Sequence, residues 1–197
     1  VGSIIAFSAV KNSDKVGLIL FSDFVELYIP PKKGRSHTLR VIREILFFNP
    51  KNRRTDLTIP VDFINKILKR KSVAFLISDF CLGKAFEEQL EQLAPKLQSC
   101  NRRHDLISLI ITDPREWELP DIGWITLEDA ETSEQIELNT SNPAVRRNYG
   151  ELAAGRQRML EKTFRSSGID FLHLSTDGLY MQPLVGFFAA RRRRASL

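Results

Sequence analysis

The sequence predicts an α/β fold in which a mostly parallel β-sheet lies between layers of helices. Short runs that are almost wholly apolar alternate along the chain with longer segments in which apolar residues recur every three or four positions. These are the patterns of buried strands and of amphipathic helices. Parallel strands need crossover connections, and the helices supply them. With 197 residues, 43% of them hydrophobic, we expect a single domain with one core over residues 1–197.

The first third of the chain contains three predicted helices and two predicted strands. It opens on apolar residues that resemble the end of a helix already under way, so we expect further sequence before Val1. The first strand is almost wholly apolar, and the second is expected to be an antiparallel edge. Pro30, Pro31 and Gly34 then break the chain before two amphipathic helices, the second with Pro60 in its first turn. The strands are predicted at 16–21 and 24–29, and these two helices at 39–46 and 56–68.

The rest of the chain continues this alternation. Two further apolar strands lie on either side of an amphipathic helix, and a short hairpin follows around the turn-prone Glu131, Thr132 and Ser133. Asn142 and Pro143 are typical of the start of a helix, which is long and polar here. The strands are predicted at 73–77, 106–111 and 169–174, the hairpin at 124–127 and 135–138, and the helices at 84–98, at 142–166 and up to the final arginines.

Polar side chains follow three of the apolar strands at the point where each strand ends. These pairs are Ser22 with Asp23, Ser78 with Asp79, and Thr112 with Asp113. Because ligands bind outside the carboxyl ends of parallel strands, we expect the pairs to gather at one edge, within reach of Thr55 and Asp56. Hydroxyl and carboxylate oxygens suit a hard cation such as Mg²⁺ better than zinc. The alternative is that these residues form turns and cap helices, with Thr55 capping the helix that starts at Asp56.

The sequence lacks the patterns of several other functional classes. His37, His104 and His173 stand apart, and no GxSxG or Cys/His arrangement surrounds a nucleophile, which argues against a hydrolytic triad. No P-loop is present, and no GxGxxG follows a strand. Trp117 and Trp124 are interpreted as packing residues rather than as stacking platforms for a ligand.

The net charge of +5 comes mostly from four consecutive arginines, and the rest of the chain is nearly neutral. One hypothesis is that this run binds nucleic acid or an acidic membrane weakly. The alternative is a solvated helix end, where cations are favoured by the negative helix terminus. The arginines are Arg191, Arg192, Arg193 and Arg194.

The cysteine pattern and the hydropathy bear on the compartment. Cys81 and Cys100 lie far apart and belong to no CxxC pair, so we expect reduced thiols. No run approaches the roughly 20 apolar residues that span a bilayer, and no signal peptide is visible. We therefore expect this stretch to be cytoplasmic.

The chain resembles the bacterial domain of unknown function 58 family in a series of ordered segments that extend over almost its whole length. The segments are DKVGLILF at 14–21, IPPKKGR at 29–35, TDL at 55–57, SDF at 78–80, HD at 104–105, DPRE at 113–116, LPD at 119–121, DAET at 129–132 and LSTD at 174–177. So many segments in the same order make the resemblance specific.

That family is similar to the von Willebrand factor A domain, a doubly wound, Rossmann-like sheet with helices on both faces and a metal-ion-dependent adhesion site. The site combines an Asp-x-Ser-x-Ser motif after the first strand with a threonine and an aspartate from two later loops. Thr55 and Asp79 match these two, and Ser78 joins them as a candidate ligand. The first motif is absent, which implies that the first central strand is missing from this chain. Arg53 and Arg54 depart from the small residues that often precede the threonine, and their charges disfavour a dication unless they point outward.

The resemblance implies a binding module rather than an enzyme. In an adhesion-type site, an Asp or Glu of the partner completes the coordination of the cation, here expected to be Mg²⁺. Members of the family are typically found beside MoxR-type AAA+ ATPases, which implies an adaptor or chaperone-like role with such a partner. The alternative from the residues is a metal-dependent phosphoryl hydrolase, since aspartates at strand ends with Mg²⁺ also describe such enzymes. No recognisable motif places a lysine or arginine to hold a phosphate.

Overall fold

A computed structural model describes residues 1–52, 54–83, 86–129, 133–178 and 180–195 of the chain. These residues fall into two compact units, unit 1 (Val1–Lys69) and unit 2 (Arg70–Leu197). The single domain expected over residues 1–197 stays a prediction.

Unit 1 is a β-hairpin combined with three helices. The two strands run antiparallel, with Leu20 opposite Leu27, so the predicted antiparallel direction of the second strand is confirmed. Each predicted helix and strand of this region is present, with ends that differ from the expected positions by a few residues. The elements are α1 (Gly2–Lys11), β1 (Val16–Phe21), β2 (Val25–Lys32), α2 (Arg35–Phe47) and α3 (Thr58–Ile67).

The core of unit 1 forms where α1, β2 and α2 meet. Ala6, Ile29 and Val41 are buried there, and the partly buried hydrophobics that pack against them are Val16, Leu18, Leu27, Ile42 and Ile45. Gly17 allows the close approach of β1 to β2, since a Cβ at this position would lie 3.0 Å from the carbonyl oxygen of Ile29. The α1–α2 packing leaves part of α1 uncovered: Phe7 is 49% exposed.

The pairing of β1 differs from the expectation. Among the described residues β1 hydrogen-bonds to β2 in a two-stranded sheet, and the parallel sheet is built from later strands. Ser22 and Asp23 were predicted to follow a strand of the parallel sheet. This prediction is wrong, because the strand that they follow pairs with β2. The physical reason is that an all-apolar run indicates a covered strand without identifying the strand beside it.

Unit 2 contains a parallel sheet, three long helices and a separate hairpin. Asp113 begins a one-turn 3₁₀ helix, Pro114–Glu116, directly after the second strand of this unit. The elements are β3 (Val73–Ser78), α4 (Phe86–Arg103), β4 (Asp105–Thr112), β5 (Trp124–Glu128), β6 (Gln135–Asn139), α5 (Pro143–Ser166), β7 (Asp170–Ser175) and α6 (Met181–Ala195).

The sheet of unit 2 has the strand order β3-β4-β7, and all three strands are parallel. The central strand β4 is the most deeply buried, with Leu106, Ile107, Leu109 and Ile110 at most 2% exposed. Helices α4, α5 and α6 pack against the strands. The helices contribute Leu93, Leu97 and Phe164 to the core. The prediction of a parallel α/β sheet flanked by helices is thus confirmed for this unit.

The predicted hairpin is formed by β5 and β6, which run antiparallel with Ile125 opposite Leu138. Of the expected turn residues, Glu131 and Thr132 lie outside the described part of the chain. Trp124 is 72% exposed on this hairpin, so its interpretation as a packing residue is wrong, whereas Trp117 is half-buried. One face of a two-stranded antiparallel hairpin can remain in solvent, and the sequence does not show which face that is.

The helices of unit 2 follow the expected patterns with longer extents. The predicted start of α4 at Lys84 lies outside the described residues, and the helix continues beyond 98 to Arg103. For α5, Asn142 accepts a hydrogen bond from the N–H of Ala144, and Pro143 is the first helical residue, which is the predicted start. Within the described ranges, no helix combines the length and the apolar character needed to cross a membrane.

Candidate functional site

The carboxyl ends of β3, β4 and β7 form one edge of the parallel sheet in unit 2. Thr112 pairs with Ser175 in the register of β4 and β7, and the N–H of Thr176 donates to the carbonyl oxygen of Thr112 at 2.9 Å. Because β3 is parallel to β4 as well, the polar pairs after β3 and β4 lie at the same edge. We call this edge, with the turns that follow the three strands, the carboxyl edge.

Asp79 is the exposed carboxylate of the turn after β3. Its Oδ1 accepts a hydrogen bond from the N–H of Cys81 at 3.1 Å and a longer one from Ser78 Oγ at 3.3 Å. Ser78 Oγ in turn accepts from the N–H of Phe80 at 3.0 Å. No described residue donates to Oδ2 of Asp79. The turn therefore holds one carboxylate oxygen of Asp79 in hydrogen bonds, while the side chain remains exposed.

Phe80 anchors this turn in the core of unit 2. Its φ of 58° lies in the left-handed region, which is unfavourable for a residue with a large side chain and persists only where surrounding contacts compensate. The compensation is burial: Phe80 is 2% exposed and its ring meets that of Phe164 edge to face, with centroids 5.3 Å apart. Asp79 thus stands on a turn whose backbone is anchored in the core of unit 2.

Asp113, after β4, is engaged in structural hydrogen bonds at both oxygens. Oδ1 accepts from the N–H of Arg115 at 2.9 Å and Oδ2 from Thr176 Oγ1 at 2.9 Å. These two bonds, the Arg115 N–H foremost, lower the pKa of Asp113 below its ordinary value. The alternative interpretation of this residue as a helix cap is confirmed, because the first bond caps the 3₁₀ helix.

Two side chains that sequence reasoning did not select complete the carboxyl edge. Burial raises the pKa of Glu116, and the charges of Asp79 and Asp113 raise it further, partly offset by a backbone hydrogen bond at Asp113. Tyr149 of α5 donates to the carbonyl oxygen of Arg115 at 3.3 Å. Its pKa is raised by burial first and then by the negative charge of Glu116. Glu116 lies in the Asp-Pro-Arg-Glu segment, whereas nothing local pointed to Tyr149.

The other candidate residues, Thr55 and Asp56, lie in unit 1. The N–H of Asp56 donates to the carbonyl oxygen of Ser22 at 3.1 Å, and Asp56 Oδ1 accepts from the N–H of Thr58 at 2.8 Å. Thr55 therefore does not cap α3, because the helix starts at Thr58 and its N-cap position is Leu57, which makes no side-chain capping bond; the bond from Thr58 to Asp56 is a local turn before the helix. Thr55 is half-buried. Of the two arginines before it, Arg53 lies outside the described residues and Arg54 is exposed.

Asp23 and Ser22 are also occupied by hydrogen bonds within unit 1. Asn52 Nδ2 donates to both carboxylate oxygens of Asp23 at 2.8 Å, and Ser22 Oγ donates to Glu26 Oε1 at 3.0 Å. The same Glu26 oxygen accepts from the backbone N–H of Lys51 at 2.9 Å. These contacts connect the turn after β1 to the loop that leads to α3. Asp23 is thus occupied by a long-range side-chain contact, and its interpretation as a turn former stays a prediction.

The predicted site offers oxygen atoms, which are the type of ligand that a hard cation prefers, but it offers few of them. Ser78 and Asp79 offer a hydroxyl and a carboxylate on adjacent residues of unit 2, and Thr55 offers a hydroxyl in unit 1. Oxygen ligands of this type suit Mg²⁺. Within the described ranges, no group of three or more His, Cys, Asp or Glu side chains is arranged to hold a metal ion. Such a site would depend on hydroxyls, on water and on a ligand from a partner.

The arginine run ends α6 and is partly neutralised. Arg191 Nη2 donates to both carboxylate oxygens of Asp105 at 2.5 and 2.7 Å, and Nη1 donates to Asp170. Arg194 lies 3.3 Å from Asp170. Asp105 and Asp170 are the first residues of β4 and β7, so the arginines fasten α6 to the opposite edge of the sheet. Arg191 and Arg194 thus have a structural role.

The two cysteines differ in their surroundings. Both are thiols, as expected. Cys100 is buried in α4, and burial raises the pKa of its thiol to about 11, so it is an inert packing residue. Cys81 is exposed in the turn beside Asp79.

Comparison with known proteins identifies relatives over nearly the whole chain. The family model described as "Protein of unknown function DUF58" matches residues 1–159. An uncharacterized protein of Mycobacterium bovis is 30% identical over 193 residues, which are 97% of this chain and 58% of that protein. An uncharacterized protein of Mycobacterium tuberculosis gives the same values. An uncharacterized protein of Mycobacterium avium is 31% identical over 169 residues, 85% of this chain and 95% of that protein. No solved structure gives a significant match.

The chain spans 58% of the length of the Mycobacterium bovis and Mycobacterium tuberculosis relatives.

Proposed function

We propose that this chain, which belongs to the DUF58 family, is a von Willebrand factor A-like binding module that recognises a protein partner through Asp79 at the carboxyl edge. In this proposal the two units are parts of one doubly wound, Rossmann-like domain. The three parallel strands flanked by helices are compatible with that architecture. The module acts by binding and not by turning over a substrate.

The observation that carries the proposal is the contrast between Asp79 and Asp113 at the same edge. Asp113 uses both oxygens within unit 2, on Arg115 and Thr176. Asp79 is exposed and uses one oxygen, on the N–H of Cys81 and on Ser78 Oγ. A carboxylate that is positioned at one oxygen and open at the other can receive an external group with little loss of side-chain freedom.

A divalent cation would link Asp79 to the partner. Ser78 and Asp79 are the ligands supplied by unit 2, and Thr55 enters from the resemblance to adhesion-type sites. Bound Mg²⁺ would supply a positive centre that an Asp or Glu of the partner completes. The chain's own residues position the carboxylate: Phe80 anchors the turn, and the N–H of Cys81 orients Asp79. Arg54 is exposed, which lessens the electrostatic objection to a cation near Thr55.

The proposed partner is a MoxR-type AAA+ ATPase, for which the module would serve as a cytoplasmic adaptor or chaperone-like cofactor. This part rests on the family resemblance. The experiment is capture of the MoxR-type ATPase that is encoded beside the protein. The full-length protein is used as bait, with and without Mg²⁺. We expect capture to require Mg²⁺ and to be lost in Asp79→Ala. The matched control is Asp177→Ala, which removes another exposed carboxylate from the turn after β7. Unchanged capture by Asp79→Ala would reject the metal-bridged mode.

One observation favours a second candidate, the metal-dependent phosphoryl hydrolase. Glu116 combines a raised pKa with the neighbouring charges of Asp79 and Asp113, and paired carboxylates with unequal pKa values are typical of acid–base chemistry. The test is turnover of a generic phosphoester by the full-length protein with Mg²⁺. Turnover that is lost in both Glu116→Gln and Asp79→Ala would favour the hydrolase over the binding module.

A further inference from the structure

A second surface, in unit 1, also has the character of a binding site. A groove of about 330 Å³ lies between α1 and α2. We call it the α1–α2 groove; it is lined by Phe7, Val10, Lys11, Arg35, Thr38 and Leu39. We propose that this groove binds an amphipathic helix of a partner protein whose apolar face is flanked by acidic side chains.

The floor of the groove is apolar and uncovered. Phe7 of α1 is 49% exposed and Leu39 of α2 is 47% exposed. Helix α1 is apolar around most of its circumference, yet Ala6 is its one fully buried residue. A helix that is apolar all round is ordinarily covered on all sides. The packing of unit 1 therefore leaves apolar surface of α1 for another element.

The apolar surface continues along α2. Leu46 lies seven residues after Leu39, two helical turns along the same face, and is 62% exposed; Phe47 beside it is 79% exposed. The separation of Leu39 and Leu46 corresponds to roughly 10 Å along the helix axis. A narrow apolar stripe of this length beside a groove matches the anchors of a docked helix at positions i, i+3 or i+4, and i+7.

The charge around the groove selects the kind of helix. Lys11 and Arg35 line it, and none of its lining residues is acidic. Residues 32–47, which lead into and form α2, contain five Lys or Arg and one acidic residue, Glu44. That acid is already paired with Arg43 at 2.7 Å. A partner with Glu or Asp beside its apolar anchors would meet opposite charges at both walls.

The same charges argue against a second copy of this chain as the occupant. Two copies joined through the α1–α2 groove would bring Lys11 and Arg35 of each near those of the other, and like charges at an interface oppose association. An acidic amphipathic helix avoids this repulsion. Its apolar anchors would cover Phe7 and Leu39, and its carboxylates would face Lys11 and Arg35.

The test uses two synthetic helical peptides with the same leucine anchors, one flanked by Glu and the other by Lys. Binding to the chain is followed by fluorescence anisotropy, with circular dichroism as the check on folding. We expect the Glu peptide to bind at least tenfold more tightly than the Lys peptide. In Lys11→Glu/Arg35→Glu this preference reverses, and in Leu39→Ser binding of the Glu peptide falls at least tenfold.

The matched control is Arg54→Glu, which makes the same kind of charge reversal at an exposed site of unit 1 outside the groove. We expect it to leave the preference for the Glu peptide unchanged. Equal binding of the two peptides, equal losses in Arg54→Glu and Lys11→Glu/Arg35→Glu, or binding of anionic vesicles in place of the Glu peptide would overturn the proposal. None of these readouts involves Mg²⁺ or Asp79, so failure here is distinct from failure of the proposed function.

Discussion

The ring of Phe80 meets the ring of Phe164 edge to face, with an interplanar angle of 78° and centroids 5.3 Å apart. Phe164 lies in α5 and is fully buried, and its other aromatic neighbour is Phe171 of β7, 5.6 Å away between centroids. Since Phe80 occupies the left-handed region directly after Asp79, this contact connects the core of unit 2 to the proposed binding turn.

Phe164→Ala is therefore expected to affect both stability and binding. Truncating a buried phenylalanine costs about 3–5 kcal/mol, and the space left under Phe80 would loosen the Asp79 turn. Chemical denaturation measures the first effect, and capture of the partner by the folded fraction measures the second. Leu152→Ala, on the same helix but 64% exposed, is the control and should change the unfolding free energy by less than about 0.5 kcal/mol. Equal effects of the two substitutions would contradict this interpretation.

Arg191 is expected to stabilise unit 2 through geometry as well as charge. Its side chain is 19% exposed and contacts carboxylates at the starts of both β4 and β7. Arg191→Ala should cost about 2 kcal/mol, because hydrogen bonds to charged groups of this kind are lost together. Arg191→Lys should recover part of this cost, since a lysine keeps the charge without the planar fork. Chemical denaturation of both variants provides the measurement.

The control for these variants is Arg193→Ala in the same run, at an exposed position. We expect its unfolding free energy to match that of the wild type. If Arg193→Ala destabilises as much as Arg191→Ala, the run acts through its overall charge at the helix end rather than through the contacts with Asp105 and Asp170.

His104 and His173 make stability depend on pH. Burial lowers the pKa of both below 6.5; for His104 the charge of Arg103 adds to the effect, and for His173 the carboxylate of Glu161 partly offsets it. A histidine whose folded pKa is lowered binds its proton more readily in the unfolded chain. Stability is therefore full above the unfolded pKa and falls as the pH drops below about 6.5 towards the folded pKa.

The measurement is the unfolding free energy at about pH 7.5 and about pH 5.5. We expect the wild type to lose stability over this interval and His104→Gln/His173→Gln to lose less. Carboxylates with ordinary pKa values titrate at lower pH. The raised pKa of Glu116 acts with the opposite sign, since it adds stability as the pH falls, and it does so equally in both proteins. A double variant with the full wild-type loss would show that other groups cause it.

The sequence was informative where structure is decided by neighbouring residues. The apolar runs of β3, β4 and β7 and the helices between them predicted the parallel sheet. The position of Asp113 directly after a strand gave a turn or a helix cap as one of its two interpretations, and the cap is what the structure has. These features depend on periodicity and turn chemistry within a few residues.

Contacts between distant residues were not predictable in the same way. Within the part of the chain that the structure describes, β1 and β2 form a sheet of their own. Thr176 donates to Asp113 and Arg191 contacts Asp105. These relations between distant residues appear only in the folded chain. Residue type favoured a solvated role for Arg191, and the structure gives it two carboxylates. The exposure of Trp124 was missed because an aromatic residue in a strand does not reveal which face is covered.

In the proposed function, Asp79 binds the partner through a divalent cation. The most direct test is the affinity of the full-length protein for the ATPase as a function of Mg²⁺ concentration. We expect Kd to fall as Mg²⁺ is added to the wild type and to Asp177→Asn. In Asp79→Asn the dependence on Mg²⁺ should disappear, with binding weaker by roughly tenfold or more, about 1.4 kcal/mol. An Asp79→Asn protein that binds as tightly as the wild type, with the same dependence on Mg²⁺, would contradict the account.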